Sequence, residues 1–164
     1  MARVGKIRND SVRLLRLCVL AVFLAAGIAL SALEASAAES VQFEVTIALA
    51  SRSGKGIDSR LAFARGELTG HGYNSATYVT GYPFSLAVGS SKRFSVSGRI
   101  SGVIQLKGVV GSGGERVQYN LALYEGSSKR VDTIYSISRR GGMGMAVLAQ
   151  PGGSAYVVLV RALR

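Results

Sequence analysis

His71 is the only histidine in this sequence, and an imidazole is the first candidate for proton transfer. A general base needs an oriented partner and either a nucleophile or a bound metal. Gly70 and Gly72 flank His71 directly, so its setting reads as a solvated loop or helix end rather than a catalytic centre. The carboxylates offer little more. Asp58 precedes Ser59 and Arg60 where a helical spacing begins, the place of an N-terminal cap. Glu67 would not face it across a helix, so a paired acid–base device is unsupported. A single histidine, with Cys18 as the only cysteine, excludes the usual zinc sets. No catalytic residue, cofactor or structural metal is assigned.

Gly54-Lys55-Gly56 precedes a helical pattern and invites comparison with a phosphate cradle. A P-loop needs an earlier glycine in frame and Ser or Thr after the lysine, and here Gly56 follows it. Gly111 to Gly114 and Gly141 to Gly144 have no helix after them and read as hairpin turns. Tyr73, Tyr78 and Tyr82 lie close together. Exposed, they would stack on sugars or bases; within a strand they are half-buried cross-strand partners.

The basic pairs carry the most information. Lys92-Arg93, Lys129-Arg130 and Arg139-Arg140 each fall at an expected turn. If the strands from Phe84 onward form a simple meander, successive turns alternate between the two ends of the sheet. Lys92, Arg93, Arg116, Arg139 and Arg140 then share one end, and Lys129 with Arg130 takes the other. Five cations on one rim would make an anion dock.

The elements that must position these residues begin after a targeting segment. Arg3, Lys6, Arg8, Arg13 and Arg16 precede an uncharged run from Leu17 to Leu30, and Ala35-Ser36-Ala37 supplies an A-x-A cleavage pattern. Residues 1–37 are read as a signal peptide, which makes the product periplasmic or secreted. The alternative is an anchor in the inner membrane over residues 17–33, at the lower length limit for spanning. No Arg-Arg pair precedes the apolar run, and Cys18 opens it, so neither a twin-arginine signal nor a lipoprotein cysteine is indicated.

Residues 38–164 then form one domain of ordinary size without cysteine, so neither disulfides nor thiol chemistry are open to it. Five of the 20 Lys and Arg and two of the 9 Asp and Glu lie in residues 1–37, which leaves 15 against 7, a charge of +8. Outside the cytoplasm that excess points to anionic glycans or lipid head groups rather than to any specific nucleic acid.

Strand periodicity dominates this part. Val41, Phe43, Val45, Ile47 and Leu49 alternate with Gln42, Glu44, Thr46 and Ala48. The same period returns in Phe84-Leu86-Val88, in Phe94-Val96 toward Ile100, in Ile104-Leu106 and in Val117-Tyr119-Leu121-Leu123. Short Gly and Ser clusters between them specify antiparallel hairpins. Ala155 to Val160 is apolar on both faces and reads as a central strand. Ile57, Leu61, Ala64 and Leu68 instead follow helical spacing, so one short helix is predicted near residues 57–69, covering an end or face. The predicted fold is mainly β (α+β): an antiparallel, sandwich-like domain of about seven or eight strands with that one helix.

The layout from Val41 onward also resembles a group of uncharacterised exported envelope proteins of Gram-negative bacteria. The likeness rests on Leu49-Ala50-Ser51 closing the first strand, Gly56-Ile57-Asp58-Ser59-Arg60-Leu61 opening the helix, a strand through Tyr73 and Tyr78, and Gly141-Gly142 and Gly152-Gly153 before the last strand. It implies an envelope location and no particular chemistry. The expected function is a non-enzymatic interaction or scaffold domain of the envelope. The alternatives are a module binding anionic carbohydrate or lipid through the basic rim, and, behind both, a small hydrolase using His71 with Asp or Glu. The partner is an envelope protein or an anionic glycan or lipid, and the oligomeric state stays open.

Overall fold

The computed structural model describes residues 39–163. The leader assigned to residues 1–37, and the alternative anchor over 17–33, lie outside the described residues. The alternating run that opens the domain forms β1 (Ser40–Ser51). A two-residue β2 (Gly56–Ile57) leads into a 3-10 helix, Ser59–Ala64, which continues as α1 (Arg65–Gly70). Seven strands follow: β3 (Ser75–Ala87), β4 (Ser91–Ser95), β5 (Ile100–Val110), β6 (Arg116–Glu125), β7 (Ser128–Ser138), β8 (Met143–Ala149) and β9 (Ser154–Ala162). They assemble into a five-stranded sheet A, ordered β2-β3-β1-β9-β8, and a four-stranded sheet B, ordered β4-β5-β6-β7.

The order follows from patterning. β1 pairs antiparallel with β3 on one side and β9 on the other, so the first and last long strands lie together in mid-sheet. Val41, Phe43, Val45 and Ile47 project from β1 toward sheet B and meet Ile104, Leu106, Tyr119 and Leu121 in the main core. Ala48 and Ala50 project the other way, where Leu61, Ala64, Leu68 and Tyr73 close over them. The helical segment therefore covers the outer face of sheet A, giving three layers. Phe43 and Tyr119 meet edge to face at 5.6 Å between ring centroids, and Tyr119 stacks on Tyr135 at 5.3 Å.

Two arginines strap the helical cover down. Arg161 on β9 lies 4.3 Å from the Phe63 ring centre while its Nε donates to Glu44 at 2.7 Å. Arg60 lies 4.2 Å from the Tyr78 ring centre and donates to Asp58 at 2.7 Å. Each aromatic face receives a guanidinium already fixed by a carboxylate, so the cation–π contact loses little further side-chain freedom.

The mainly β class, the two sheets and the single short helical cover agree with the sequence reading. Nine strands replace the expected seven or eight. β7 escaped notice because Ile134 points to solvent, 64% exposed, and breaks the period of two. In β8, both faces carry apolar or small residues, half of them glycine or alanine in its first four positions. The Phe94 to Ile100 run is not one strand: the amides of Val96 and Ser97 both bond the carbonyl of Ile100 and turn the chain.

Close packing at β8 depends on Gly144. A Cβ there would overlap the Tyr119 hydroxyl and crowd the Tyr135 ring. That hydroxyl is fully buried and has no hydrogen-bond partner, and burial pushes its ionisation upward. Removing an unpartnered buried hydroxyl costs little or stabilises, whereas adding a methyl to a filled core costs about 1–3 kcal/mol. Tyr119→Phe should thus be neutral or stabilising in urea unfolding. Gly144→Ala should destabilise, and less so in the Tyr119→Phe background. Equal costs in both backgrounds would show that the hydroxyl is not the obstacle.

Candidate functional site

Asp58, the first carboxylate considered, caps the 3-10 helix: its Oδ1 accepts the Arg60 backbone N–H at 3.0 Å. With the Arg60 guanidinium bonded to the same carboxylate, its pKa is held at about 2 rather than 3.8. His71 ends α1, where its backbone N–H bonds the Glu67 carbonyl at 3.0 Å, and its side chain is exposed. Gly54 and Gly56, at φ 93° and 109°, turn the chain between β1 and β2, which is loop geometry that a non-glycine residue would resist. Tyr73 is buried in the layer under the helix and Tyr82 packs on the main core, so the tyrosine cluster is largely structural. Among the described residues no group of three or more His, Cys, Asp or Glu side chains is placed to hold a metal ion.

The predicted rim is divided. The meander β4-β5-β6-β7 exists, and the β5–β6 and β7–β8 turns share one end, as Arg116 lies opposite Ser138. Arg116, Arg139 and Arg140 are brought to that end. Lys92 and Arg93 are not. They pair with Ile104 and Val103, halfway along β5, and so sit on the edge strand away from the rim. The cause is the β3–β4 connection. Its Gly89 amide and Ser90 carbonyl bond Leu106, so the chain enters sheet B in mid-strand rather than at an end.

The rim itself is not a bare cation cluster. Gly113, Gly114, Glu115, Ser138, Arg139 and Arg140 line a cleft of about 620 Å³. Arg139 donates to Glu39 at 3.0 Å, and the Glu115 carboxylate accepts the Gly113 amide at 2.9 Å. Arg116 turns away, onto the outer face of sheet B, where its guanidinium donates to the Ser136 hydroxyl and carbonyl. Arg139 and Arg140 thus face two carboxylates, and the cleft is close to neutral.

Positive charge is concentrated elsewhere. Five of the seven carboxylates of the domain form ion pairs: Asp58–Arg60, Asp132–Lys129, Glu125–Arg130, Glu39–Arg139 and Glu44–Arg161. Nine Lys and Arg side chains make no ion pair among the described residues: Arg52, Lys55, Arg65, Lys92, Arg93, Arg99, Lys107, Arg116 and Arg140. Of these, Arg93, Lys107 and Arg116 belong to the outer face of sheet B. Strand alternation sets Arg93 opposite in direction to buried Phe94, and Arg116 to buried Val117. Lys107 is exposed at a bulge, left without a partner where the β5–β6 register jumps from Leu106 to Gly108. The sequence reading passed over Lys107, since a lone lysine between strand residues carries no local signal. The sequence matches no protein-family model, and no curated protein or solved structure is recognisably similar to it.

The depressed Asp58 pKa has a definite sign. Its contribution to stability is complete above the unfolded value of 3.8 and is lost as pH falls through about 2. A carboxyl-detected NMR titration should place its midpoint near 2, and Arg60→Ala should move that midpoint up toward 3.8. A midpoint near 3.8 in the unchanged protein would mean that the Asp58–Arg60 pair does not persist in solution.

Proposed function

We propose that this chain is an exported, non-enzymatic interaction domain that works in the cell envelope and whose partner is anionic. The observation that carries the reading is the charge balance: five of seven carboxylates are held in local ion pairs, while nine Lys and Arg side chains, Arg93, Lys107 and Arg116 among them, are left without one among the described residues. Paired charges cancel at a distance, so the field seen by an approaching polymer comes from the unpaired set. Such a domain needs a face or an edge and no catalytic constellation, which suits a docking or scaffold role. A protein partner is the second reading, favoured by Ile134, which stands 64% exposed on β7.

Export is supported by the basic, apolar and A-x-A succession of residues 3–37. The mature protein is expected to begin at Ala38, two residues before β1 starts at Ser40. Intact-mass analysis of the envelope fraction checks this, and a mass that retains residues 1–37 would establish the anchored form instead.

Retention on an immobilised anionic polysaccharide tests the partner class. The domain should be held at low ionic strength and released as salt shortens the screening length below about 8 Å, with no retention on neutral dextran. Equal behaviour on the charged and neutral matrices would refute the reading. Partners recovered from envelope extracts that survive high salt would favour protein contacts.

A further inference from the structure

We infer that the outer face of sheet B is the docking strip, and that its occupant is a linear anionic glycan. The inference rests on the anionic-partner reading and adds a place and a ligand class. Sheet A has its outer face closed by the helical segment. On sheet B the corresponding side chains Arg93, Lys107, Asp132, Ile134 and Ser136 are exposed.

Along β6 the outward residues run Arg116, Gln118, Asn120, Ala122 and Tyr124, a cation, two amides, a methyl and an aromatic ring in line. At about 3.4 Å per residue this row is roughly 27 Å long. Arg93 pairs with Val103, four positions before Lys107 on β5, and Arg116 pairs with Val110, three positions after it. The three cations are therefore spaced by roughly 10–14 Å along the strands.

That spacing selects the ligand. Cations farther apart than a screening length of about 8 Å do not pool their fields on one small anion. They can each meet a separate charge, two or three sugars apart, on one extended chain. Between them the partly exposed Gln118 amide offers hydrogen-bonding groups matched to the hydroxyls of an extended sugar chain. The Asp132 carboxylate, beside this row on β7, accepts from Lys129 at 2.7 Å. Asp132, the carboxylate on the face, is thereby neutralised. The Tyr124 ring, with the Lys129 ammonium 5.9 Å from its centre, closes the strip with a surface for stacking on a pyranose.

The test uses the mature domain and an octamer of galacturonate as probe, with monomeric galacturonate and phosphatidylglycerol vesicles as the other arms. Titration calorimetry should show octamer binding at least tenfold tighter than monomer binding. Arg93→Ser with Lys107→Ser should weaken octamer binding tenfold or more. Arg52→Ser with Lys55→Ser, an equal loss of charge on the β1–β2 loop, should change it less than threefold. Gln118→Ala should weaken the octamer a few-fold and leave vesicle binding unchanged. Amide shift perturbations in the unsubstituted protein should fall on β5 and β6, a readout that survives if a variant misfolds. Equal losses in the two double variants, with binding intact in the parent, would overturn the face and spare the broader reading. Vesicle binding without octamer binding would overturn the glycan. Failure of the parent to bind any of the three would overturn both.

Discussion

Everything in this domain hangs on β1 being buried on both faces. Its inward residues, Val41, Phe43, Val45 and Ile47, are at most 1% exposed. On the opposite face Thr46, Ala48 and Ala50 are buried as well. A strand covered on both sides requires two packed layers, so the chain must supply a second sheet on one side and a cover on the other. The first requirement is met by the β4–β7 meander and the second by the helical segment between β2 and β3. The small side chains of Ala48 and Ala50 set how near that cover can come, and the Arg161–Phe63 and Arg60–Tyr78 stacks hold its 3-10 half. Because β1 also needs β9 as a neighbour, the sheet is complete only when the last strand has joined the first. Long-range pairing of that kind is slow to close.

How much of this could be read from sequence depended on whether burial and local pattern agree. β1, β6 and β9 carry strong patterns since each lies in a sheet interior, and their apolar residues match the core. The helix was visible from Ile57, Leu61, Ala64 and Leu68, although the first turn is 3-10 and the α-helical part begins only at Arg65. β7 and β8 were missed for a shared reason. They form the side where the chain passes from sheet B to sheet A, and an apolar residue on the open face of β7 and small residues on both faces of β8 blur the period of two. The rim failed for a geometric reason. Turn alternation holds only for strands of equal length in one sheet, and β3 belongs to sheet A while β4, five residues long, joins sheet B halfway along β5. Pairing of Arg139 with Glu39, 100 residues apart, was equally out of reach, since nothing local marks either residue as a partner.

The charged residues also have to be sorted by what the fold needs from them. Free strand edges invite pairing with other chains and are usually blunted. Each exposed edge here has its own device. Pro83 interrupts the donors of β3, and Lys92 and Arg93 charge β4, while the Tyr135 hydroxyl donates to the Met145 carbonyl on β8 at 2.8 Å. Protection of the edge would thus account for Lys92 and Arg93 without any ligand.

Lys107 has a further feature. β4 covers β5 only from Ser101 to Gln105, so Lys107 stands beyond the end of β4, and it caps no helix and forms no salt bridge. It stands where β5 carries one residue more than β6. A bulge costs ladder bonds and is tolerated where re-aiming a side chain has a use. Arg116 is similarly drawn off the rim and laid along β7 by Ser136, although Glu115 beside it offers a carboxylate. Two cations of independent origin, one aimed by a bulge and one by a hydroxyl, are thus turned onto the same open face, where Lys107 also acts on Asp132. Solubility would be served as well by cations anywhere on the surface. Edge protection covers Lys107 as it does Lys92 and Arg93, and the orientation of Arg116 along β7 is what a docking face adds to it.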